Sequence, residues 1–438
     1  MMSGIFSPNL PSFKQCWDSL KWFRVAFSIA LVWAILRLAM QIALIVDPTS
    51  SSISIDLQVY LDAAQNFMLK ADLYPESLEV LEYHFPYPPV FALLFVPFLY
   101  LPKQITVIIQ LIFHILAFYA LFIQWAKIFQ EWSLENASKY LMLSAPVWLI
   151  FSAFWDDLLY LNIYTIMALL GTLLLRSILK DNLPQAVLWL TLILISKPHW
   201  AFAAIIPLFL KRYPFFFKLI LFSLASYLSL ALATWVIGGP AYITSQYVDY
   251  VGLLGRLGQD FPWRESASGF MGYNHSIKQI FAYLFGSSPT TLLAATLAKI
   301  ILLVPLAWIT IKRILYPAQE SQQRMTTVLE MFMLLYLGVF IWLDIVWEAF
   351  LVIAIFGYLL SIQNNLINKI AITITMILYA ILDMWRLFLY VVGAPMESDY
   401  YLLWDYSIYV PIVMLVILTF YSFLLSKQWT THNQTGIS

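Results

Sequence analysis

Apolar runs of about 20 residues recur along the whole chain and constrain its fold more than any other feature. Such runs are typical of membrane-spanning helices rather than of globular cores. The chain is 62% hydrophobic and its mean hydropathy is +0.80, which leaves no polar stretch long enough for a separate soluble domain. The sequence therefore predicts an all-α polytopic integral membrane protein with a bundle of about 11–13 membrane helices.

The predicted membrane segments follow one another with mostly short connections. They lie at about 25–46, 89–101, 104–125, 140–155, 158–178, 184–196, 199–210, 214–237, 290–311, 326–343, 345–361, 367–389 and 405–425. Several of these segments are shorter than the roughly 20 residues that a perpendicular crossing requires.

Basic residues set the expected orientation of the helices. Lys14, Lys21 and Arg24 precede the first run, which is too long for a signal peptide and has no small-residue cleavage site. Because Lys and Arg are enriched at cytoplasmic helix ends, we expect the N-terminus inside. This orientation puts a first outer loop at 47–87 and a later outer loop at 238–289.

The segment at 89–101 is the exception in this scheme. Four candidate segments separate outer residue 87 from inner residue 176, where an odd number is required. We therefore expect that 89–101 is short and does not cross fully. Residues 1–430 are predicted to form one membrane domain, and 431–438 a disordered tail.

Composition excludes several classes of function. Lys+Arg and Asp+Glu number 24 each, so no basic surplus indicates a nucleic-acid partner. The single Cys16 excludes an intramolecular disulfide and a thiolate metal cluster. The sequence has no phosphate-binding loop, dinucleotide fingerprint or paired-Cys zinc motif, and we expect neither a cofactor nor a metal.

Polar residues concentrate in the first outer loop, where Asp56 is the main candidate for chemistry. A helix is expected at 57–69, and Asp56 lies where it begins. One interpretation is a capping aspartate that binds the free N–H groups of the first turn. The other is a general base that deprotonates an acceptor hydroxyl at the membrane surface. Asp62 lies about 600° further round such a helix, so we do not expect the two to pair.

The residues around and after Asp56 resemble the first-loop pattern of a known family. The pattern consists of Asp56-Leu-Gln-Val-Tyr60, Ala63-Ala64, Tyr74, Tyr87-Pro88-Pro89, Leu93-Leu94-Phe95, Pro97 and Leu101-Pro102. It resembles glycosyltransferase family 87, which includes polyprenol-phosphate-mannose-dependent mannosyltransferases of the GT-C superfamily. The resemblance covers about 50–105 and is diffuse beyond that range.

Three later sequence motifs of the chain are compared with motifs of the same family. Ser196-Lys197-Pro198-His199 resembles its Lys-Pro step after a mid-chain helix. Asn274-His275-Ser276 resembles its Asn-x-Ser step in the later outer loop. The family's Gly-Gln-x-Asn corresponds here only to Leu161-Asn162.

The resemblance implies a fold, a reaction and a set of partners. The fold is a GT-C-type bundle with interfacial helices in the first outer loop. The reaction moves a hexose, with mannose favoured, from a polyprenyl-phosphate donor to a lipid-linked or glycan acceptor, with inversion and with Asp56 as general base. The partners are the donor, the acceptor and membrane lipids. The implied location is a bacterial plasma membrane with the active site on its outer face.

A departing lipid phosphate requires a cation beside it. Lys197 lies between two short apolar runs, either as that cation or as an interfacial lysine whose ammonium reaches the headgroups. The further candidates for donor phosphate binding are His199, Arg256, Arg264 and His275, and each also has a structural interpretation as a solvated or interfacial side chain.

Four other residues are candidates for binding the sugar or the acceptor. Tyr60 and Tyr87 belong to the aromatic part of the first-loop pattern, and Asn274 to the later loop. Asp157 lies near the outer end of a predicted segment, where a carboxylate could bind an acceptor hydroxyl or a metal.

The alternative function is a polytopic lipid or glycan transporter, or flippase, without transferase activity. Transporters place ionisable groups near the bilayer midplane on broken helices and often contain repeats. Here the polar residues concentrate in outer loops and no repeat is visible, which favours the enzyme. A scaffold for other membrane enzymes is a third hypothesis, in which Asp56 would be dispensable.

Overall fold

The structure is a computed structural model that describes residues 13–46, 55–74, 85–259, 261–268, 271–318, 321–361, 366–392 and 406–435. Every regular element in these ranges is a helix, and they contain no strand. The prediction of an all-α polytopic membrane protein is confirmed.

The helices follow the predicted apolar runs. They are α1 (Phe13–Ser19), α2 (Lys21–Val46), α3 (Ile55–Leu69), α4 (Pro89–Phe95), α5 (Lys103–Glu131), α6 (Glu135–Leu143), α7 (Ala145–Leu149), α8 (Ser152–Tyr160), α9 (Tyr164–Leu179), α10 (Leu183–Ser196), α11 (Ile206–Phe209), α12 (Tyr213–Gly238), α13 (Pro240–Gln259), α14 (Ile277–Phe285), α15 (Pro289–Leu315), α16 (Ser321–Trp342), α17 (Ala354–Ser361), α18 (Leu366–Ala380), α19 (Leu382–Val391) and α20 (Tyr406–Thr435). Short 3-10 segments lie at Val96–Tyr100, Pro198–Ile205, Ser266–Ser268 and Glu348–Ile353.

Helix length separates two groups of apolar helices. Within the described ranges, six helices are long and apolar enough to cross a bilayer, namely α2, α5, α12, α15, α16 and α20. The run from α6 to α8 bends by 53° and is a seventh candidate if it forms one span. Shorter apolar helices lie at Pro89–Tyr100, Tyr164–Leu179, Leu183–Ser196, Pro198–Phe209 and Glu348–Ser361. The predicted number of about 11–13 membrane helices counts these shorter helices together with the long ones.

Breaks inside the predicted runs are the main difference from the sequence analysis. The run expected at 140–155 is three helices, α6 to α8, with Pro146 in the first turn of α7. The run expected at 158–178 starts in the last turn of α8 and continues as a helix only from Tyr164, because the chain turns at Leu161, where φ is 53°. The run at 367–389 is divided between α18 and α19.

The segment expected at 89–101 does form a short element. It consists of α4 and the 3-10 segment Val96–Tyr100, and it packs against α3, α12 and α13. A helix of this length reaches about 20 Å, whereas the hydrocarbon core of a bilayer is about 30 Å thick. Its length therefore agrees with a segment that does not cross fully.

Two predicted regions are more helical than the sequence analysis stated. The later outer loop at 238–289 contains α13 and α14. Helix α20 extends to Thr435, into the tail at 431–438 that is predicted to be disordered, and residues 436–438 lie outside the described ranges. Residues 47–54 and 75–84 of the first outer loop also lie outside them.

One end of the bundle gathers basic side chains. Arg176 and Lys180 donate hydrogen bonds to Glu131 at 2.6 and 2.9 Å, which joins the last turn of α9 to the end of α5. Helix α9 begins at Tyr164, about 20 Å away along its axis. The first turn of α9 thus lies toward the opposite end of the bundle.

The 3-10 segment after α16 packs deep in the bundle and supports that opposite end. Its Phe350 is fully buried, and its ring centroid lies 4.8 Å from the ring of Trp200. The rings of Tyr164 and His199 both lie 6.0 Å from Phe350. Phe350 therefore connects the start of α9 with the segment that follows α10.

Candidate active site

Helix α3 sets the position of Asp56. Its buried face carries Tyr60 and Phe67, as the helical periodicity predicts. Asp56 lies in the first turn and is 8% exposed. Asp62 is exposed and accepts a hydrogen bond from Gln58 at 2.7 Å, so the two carboxylates point in different directions, as expected.

The Asp56 carboxylate is buried beside a cation and an amide. Burial raises the pKa of Asp56 to about 7, while the charge of Lys197 and a hydrogen bond from the Asn162 side chain oppose that rise. The Oδ2 atom of Asp56 has no hydrogen-bond partner among the described residues. A carboxylate with a pKa near neutrality and a free oxygen can accept a proton from a hydroxyl group.

Lys197 lies at the break between α10 and the 3-10 segment that follows. The residue before a proline is disfavoured in the α conformation, and Lys197 precedes Pro198 with φ −124° and ψ 88°. Its Nζ lies 3.8 Å from the ring centroid of Tyr164 and 5.1 Å from that of Tyr87. Burial lowers the pKa of Lys197 to about 8, and the charge of Asp56 opposes this. The aromatic rings hold the ammonium without neutralising its charge.

A left-handed turn after α8 brings Asn162 into the site. Leu161 has φ 53° and ψ 41°, and the N–H of Asn162 donates to the carbonyl of Asp157 at 3.2 Å. The Asp157 carboxylate accepts the N–H groups of Tyr164 and Thr165 at 3.1 and 2.8 Å, which caps the start of α9. We call residues 157–162 the elbow. Both carboxylate oxygens of Asp157, a predicted substrate ligand, are therefore engaged by the backbone.

Tyr60 and Tyr87, predicted to bind substrate, form an aromatic wall beside Asp56. Their hydroxyl oxygens are 2.8 Å apart, and the Tyr60 hydroxyl donates to Oδ1 of Asn162 at 3.2 Å. The ring of Phe91 stacks on Tyr87 with centroids 4.4 Å apart, and Tyr74 donates to the Tyr87 carbonyl at 2.6 Å. Burial raises the pKa of Tyr60 and of Tyr87, so both hydroxyls stay protonated at neutral pH.

His114 of α5 contacts the elbow at the Asn162 backbone, whereas Tyr60 contacts the Asn162 side chain. Its ring is fully buried, with Nδ1 2.8 Å from the Gln110 carbonyl oxygen. Its Nε2 contacts the carbonyl oxygen of Asn162 and lies 3.4 Å from Oδ2 of Asp157. His114 is not among the residues predicted from the sequence, although an ionisable residue inside an apolar run is a general indicator of function.

His199 follows Lys197 closely in the chain and in space. Its Nε2 has no hydrogen-bond partner in the described part of the chain. The ring stacks on Phe350 with centroids 6.0 Å apart. Its place beside Lys197 agrees with the prediction that it helps to bind a phosphate, which stays a prediction.

Asn274 and His275 join two loops of the chain through hydrogen bonds to the backbone. The Asn274 amide nitrogen donates to the Asp344 carbonyl at 3.0 Å. Its Oδ1 accepts the N–H groups of Ser276 and Val346 at 3.1 and 3.2 Å. The N–H of His275 donates to the Val346 carbonyl at 2.8 Å. The Asn274 side chain, predicted to bind substrate, thus joins the later outer loop to the loop after α16.

The two predicted arginines lie elsewhere on the later loop. Arg256 is in the last turn of α13, and Arg264 lies in the segment before α14. The backbone of Arg264 forms two hydrogen bonds with the Gln279 side chain, at 3.3 and 2.8 Å. The described contacts of Asp56 and Lys197 do not include either arginine.

The structure therefore brings together one part of the predicted site. The converging residues are Asp56, Tyr60, Tyr87, Asp157, Lys197 and His199. Asn162, His114 and Tyr164 complete this cluster, and the sequence analysis did not place them in it. The resemblance offered only a weak signal for Asn162, because the family's Gly-Gln-x-Asn is reduced here to Leu161-Asn162.

Comparison with known proteins identifies the family of the chain. The model of glycosyltransferase family 87 matches residues 85–338, which is more than half of the chain. The matched range includes Tyr87, Asn162 and Lys197 but begins after Asp56. No curated protein matches the chain. The chain belongs to glycosyltransferase family 87, and it is a membrane glycosyltransferase.

Proposed function

We propose that the protein transfers a hexose from a polyprenyl-phosphate donor to a hydroxyl group of a lipid-linked or glycan acceptor, with inversion at the anomeric carbon. Mannose is the hexose that the family resemblance favours. One observation carries this proposal: the unpartnered Oδ2 of Asp56 lies in the same buried cluster as the ammonium of Lys197. A displacement at a sugar phosphate requires these two groups, a base for the acceptor and a cation for the leaving group.

Asp56 is the general base in this proposal. The amide of Asn162 orients its carboxylate, and Oδ2 is left for the acceptor hydroxyl. With a pKa of about 7, the carboxylate is basic enough to accept a proton and is still largely ionised just above neutral pH. A positioned base of this kind contributes about 10²- to 10⁴-fold to the rate.

Lys197 is the cation that receives the leaving phosphate. Its Nζ is held by the faces of Tyr164 and Tyr87 rather than by a close carboxylate partner within the described residues, so its hydrogen-bond donors remain available. His199 lies next to it and can donate a further hydrogen bond to a phosphate oxygen. Tyr60 and Tyr87 are buried, and their part in this proposal is to hold the Asn162 side chain and the Lys197 ammonium in position.

The proposed step balances as a single displacement. The acceptor O–H gives its proton to Oδ2 of Asp56 while its oxygen attacks the anomeric carbon from the side opposite the phosphate. The bond between the anomeric carbon and the phosphate oxygen breaks, and the polyprenyl phosphate leaves with the bonding electrons. Negative charge thus moves from Asp56 to the phosphate, and Lys197 stabilises both positions.

The site belongs on the outer face of the membrane in this proposal. It lies toward the end of α9 opposite the basic residues Arg176 and Lys180, which the positive-inside rule assigns to the cytoplasm. A polyprenyl phosphate would keep its chain in the bilayer and its phosphate at this boundary. The family resemblance implies a bacterial plasma membrane, and we propose that location for the protein.

The test is a transfer assay with the purified full-length protein in lipid nanodiscs. The donor is polyprenyl phosphate carrying labelled mannose, with glucose and galactose donors in parallel, and a membrane lipid extract supplies the acceptors. We expect a labelled product whose anomeric configuration is opposite to that of the donor. Retention of configuration would contradict the single displacement. Transfer from a nucleotide sugar but from none of the polyprenyl phosphates would contradict the donor class.

A further inference from the structure

Both ring nitrogens of His114 face oxygen atoms that can only accept hydrogen bonds. Nδ1 faces the Gln110 carbonyl oxygen at 2.8 Å, and Nε2 contacts the carbonyl oxygen of Asn162. A neutral imidazole has one N–H and one lone pair, and the lone pair would then point at a carbonyl oxygen. Because the ring is fully buried, water does not relieve that repulsion. The geometry thus favours a proton on both nitrogens.

A buried imidazolium also requires a counter-charge, and the elbow supplies it. Oδ2 of Asp157 lies 3.4 Å from Nε2 of His114, and the side chains of both residues are 0% exposed. The other charged groups of the cluster are Asp56 on α3 and Lys197 at the end of α10. Two carboxylates then balance two cations, which is the arrangement that a buried group of charges needs.

We propose that His114, doubly protonated and paired with Asp157, is a positioning residue that fixes the elbow so that the Asn162 amide faces the catalytic carboxylate of Asp56. This inference rests on the proposed function only where it calls Asp56 catalytic. His114 does not touch the reacting atoms. It holds the Asn162 carbonyl from α5, while Tyr60 of α3 holds the Asn162 side chain at 3.2 Å.

The positive charge of His114 has a second effect on the same base. It acts on Asp56 in the direction that favours the ionised carboxylate, together with the larger effect of Lys197. Loss of the imidazolium would therefore both release the Asn162 carbonyl and make Asp56 harder to ionise. A role limited to filling space in the core would produce neither effect.

Two substitutions at His114 separate these effects, and a third variant, at Thr106 of the same helix, is the control. His114→Phe keeps the ring volume without donors, and we expect kcat to fall about 100-fold with the donor KM changed less than about 3-fold. His114→Gln keeps an N–H near the Nε2 position without the charge. We expect it to recover most of kcat but to move the rising limb of the pH profile to higher pH. Thr106→Val changes another buried residue of α5 and should leave both quantities unchanged.

A measurement independent of transfer tests the protonation directly. The full-length protein with 15N-labelled histidine contains five histidines, and the His114→Gln variant assigns the resonances of His114. We expect both of its ring nitrogens to carry protons at pH 7, and Asp157→Asn to abolish this state. A neutral ring at pH 7, or a His114→Gln enzyme with the wild-type pH profile, would overturn the inference. If the wild-type protein transferred no sugar, the proposed function would fail while this measurement still decided the state of His114.

Discussion

The Lys197→Met substitution isolates the charge on which the proposed leaving-group step depends. Methionine has a similar length and an apolar, flexible chain, so it can occupy the space between the rings of Tyr87 and Tyr164. The substitution removes the ammonium and leaves the aromatic wall in place. It therefore tests electrostatics rather than packing.

The expected loss of kcat has two causes, and both of them lower the rate. Loss of one preorganised group that stabilises developing negative charge costs about 10²- to 10³-fold in kcat, or about 2.7–4 kcal/mol. Lys197 is also the main charge that opposes the effect of burial on Asp56. Without it the pKa of Asp56 rises above its present value of about 7, so less of the base is ionised at neutral pH. We expect kcat to fall at least 100-fold at pH 7, with a smaller loss at higher pH.

The assay is transfer of labelled hexose from the polyprenyl phosphate under saturating donor. Lys180→Met is the matched control, because Lys180 is 47% exposed at the basic end of α9 and pairs there with Glu131. The control should keep nearly full activity. A Lys197→Met enzyme with wild-type kcat and an unchanged pH profile would refute the assignment of Lys197 to the leaving phosphate.

Three further predictions concern pH, the wall of the site and the fold. Transfer should increase as pH rises through about 7, where Asp56 loses its proton, and decline above about 8, where Lys197 loses its proton; a flat profile would contradict both roles. Tyr60→Phe removes the hydroxyl that holds Asn162, and we expect about a 10-fold loss of kcat in the transfer assay with little change in KM. Lys427→Met removes the ammonium that pairs with the buried carboxylate of Glu330, while Gln428 and the charge of Arg313 still stabilise that carboxylate. We expect a loss of about 1–3 kcal/mol and a lower Tm, and adding Glu330→Gln should restore much of it. An unchanged Tm in the single variant would contradict this pairing.

Local chemistry explains what the sequence predicted well. Apolar runs of about 20 residues identify buried or membrane helices by composition alone, and α12 and α15 agree with the expected ranges. The break at Lys197 is also local, because Pro198 restricts the residue before it. The burial of Asp56 and the exposure of Asp62 follow from helical periodicity.

Long-range contacts explain what the sequence did not predict. The contact between His114 and Asn162 joins residues 48 positions apart, and no local pattern indicates it. Leu161 adopts a left-handed backbone conformation, which is uncommon for a leucine. A leucine at this position therefore does not indicate a turn. The amide of Asn274 binds the backbone of Asp344 and Val346, which only the folded arrangement of two distant loops reveals.

The most direct test of the whole account compares two aspartates of the same helix. Asp56→Asn keeps the size of the buried side chain and an oxygen that accepts a hydrogen bond but removes the base, whereas Asp62→Asn changes an exposed residue six positions further along the same helix. The measurement is kcat for hexose transfer across pH 6 to 9, with Tm recorded to verify folding. We expect Asp56→Asn to lose about 10²- to 10⁴-fold in kcat at an unchanged Tm and Asp62→Asn to match the wild type. A folded Asp56→Asn enzyme with wild-type kcat would contradict Asp56 as the general base.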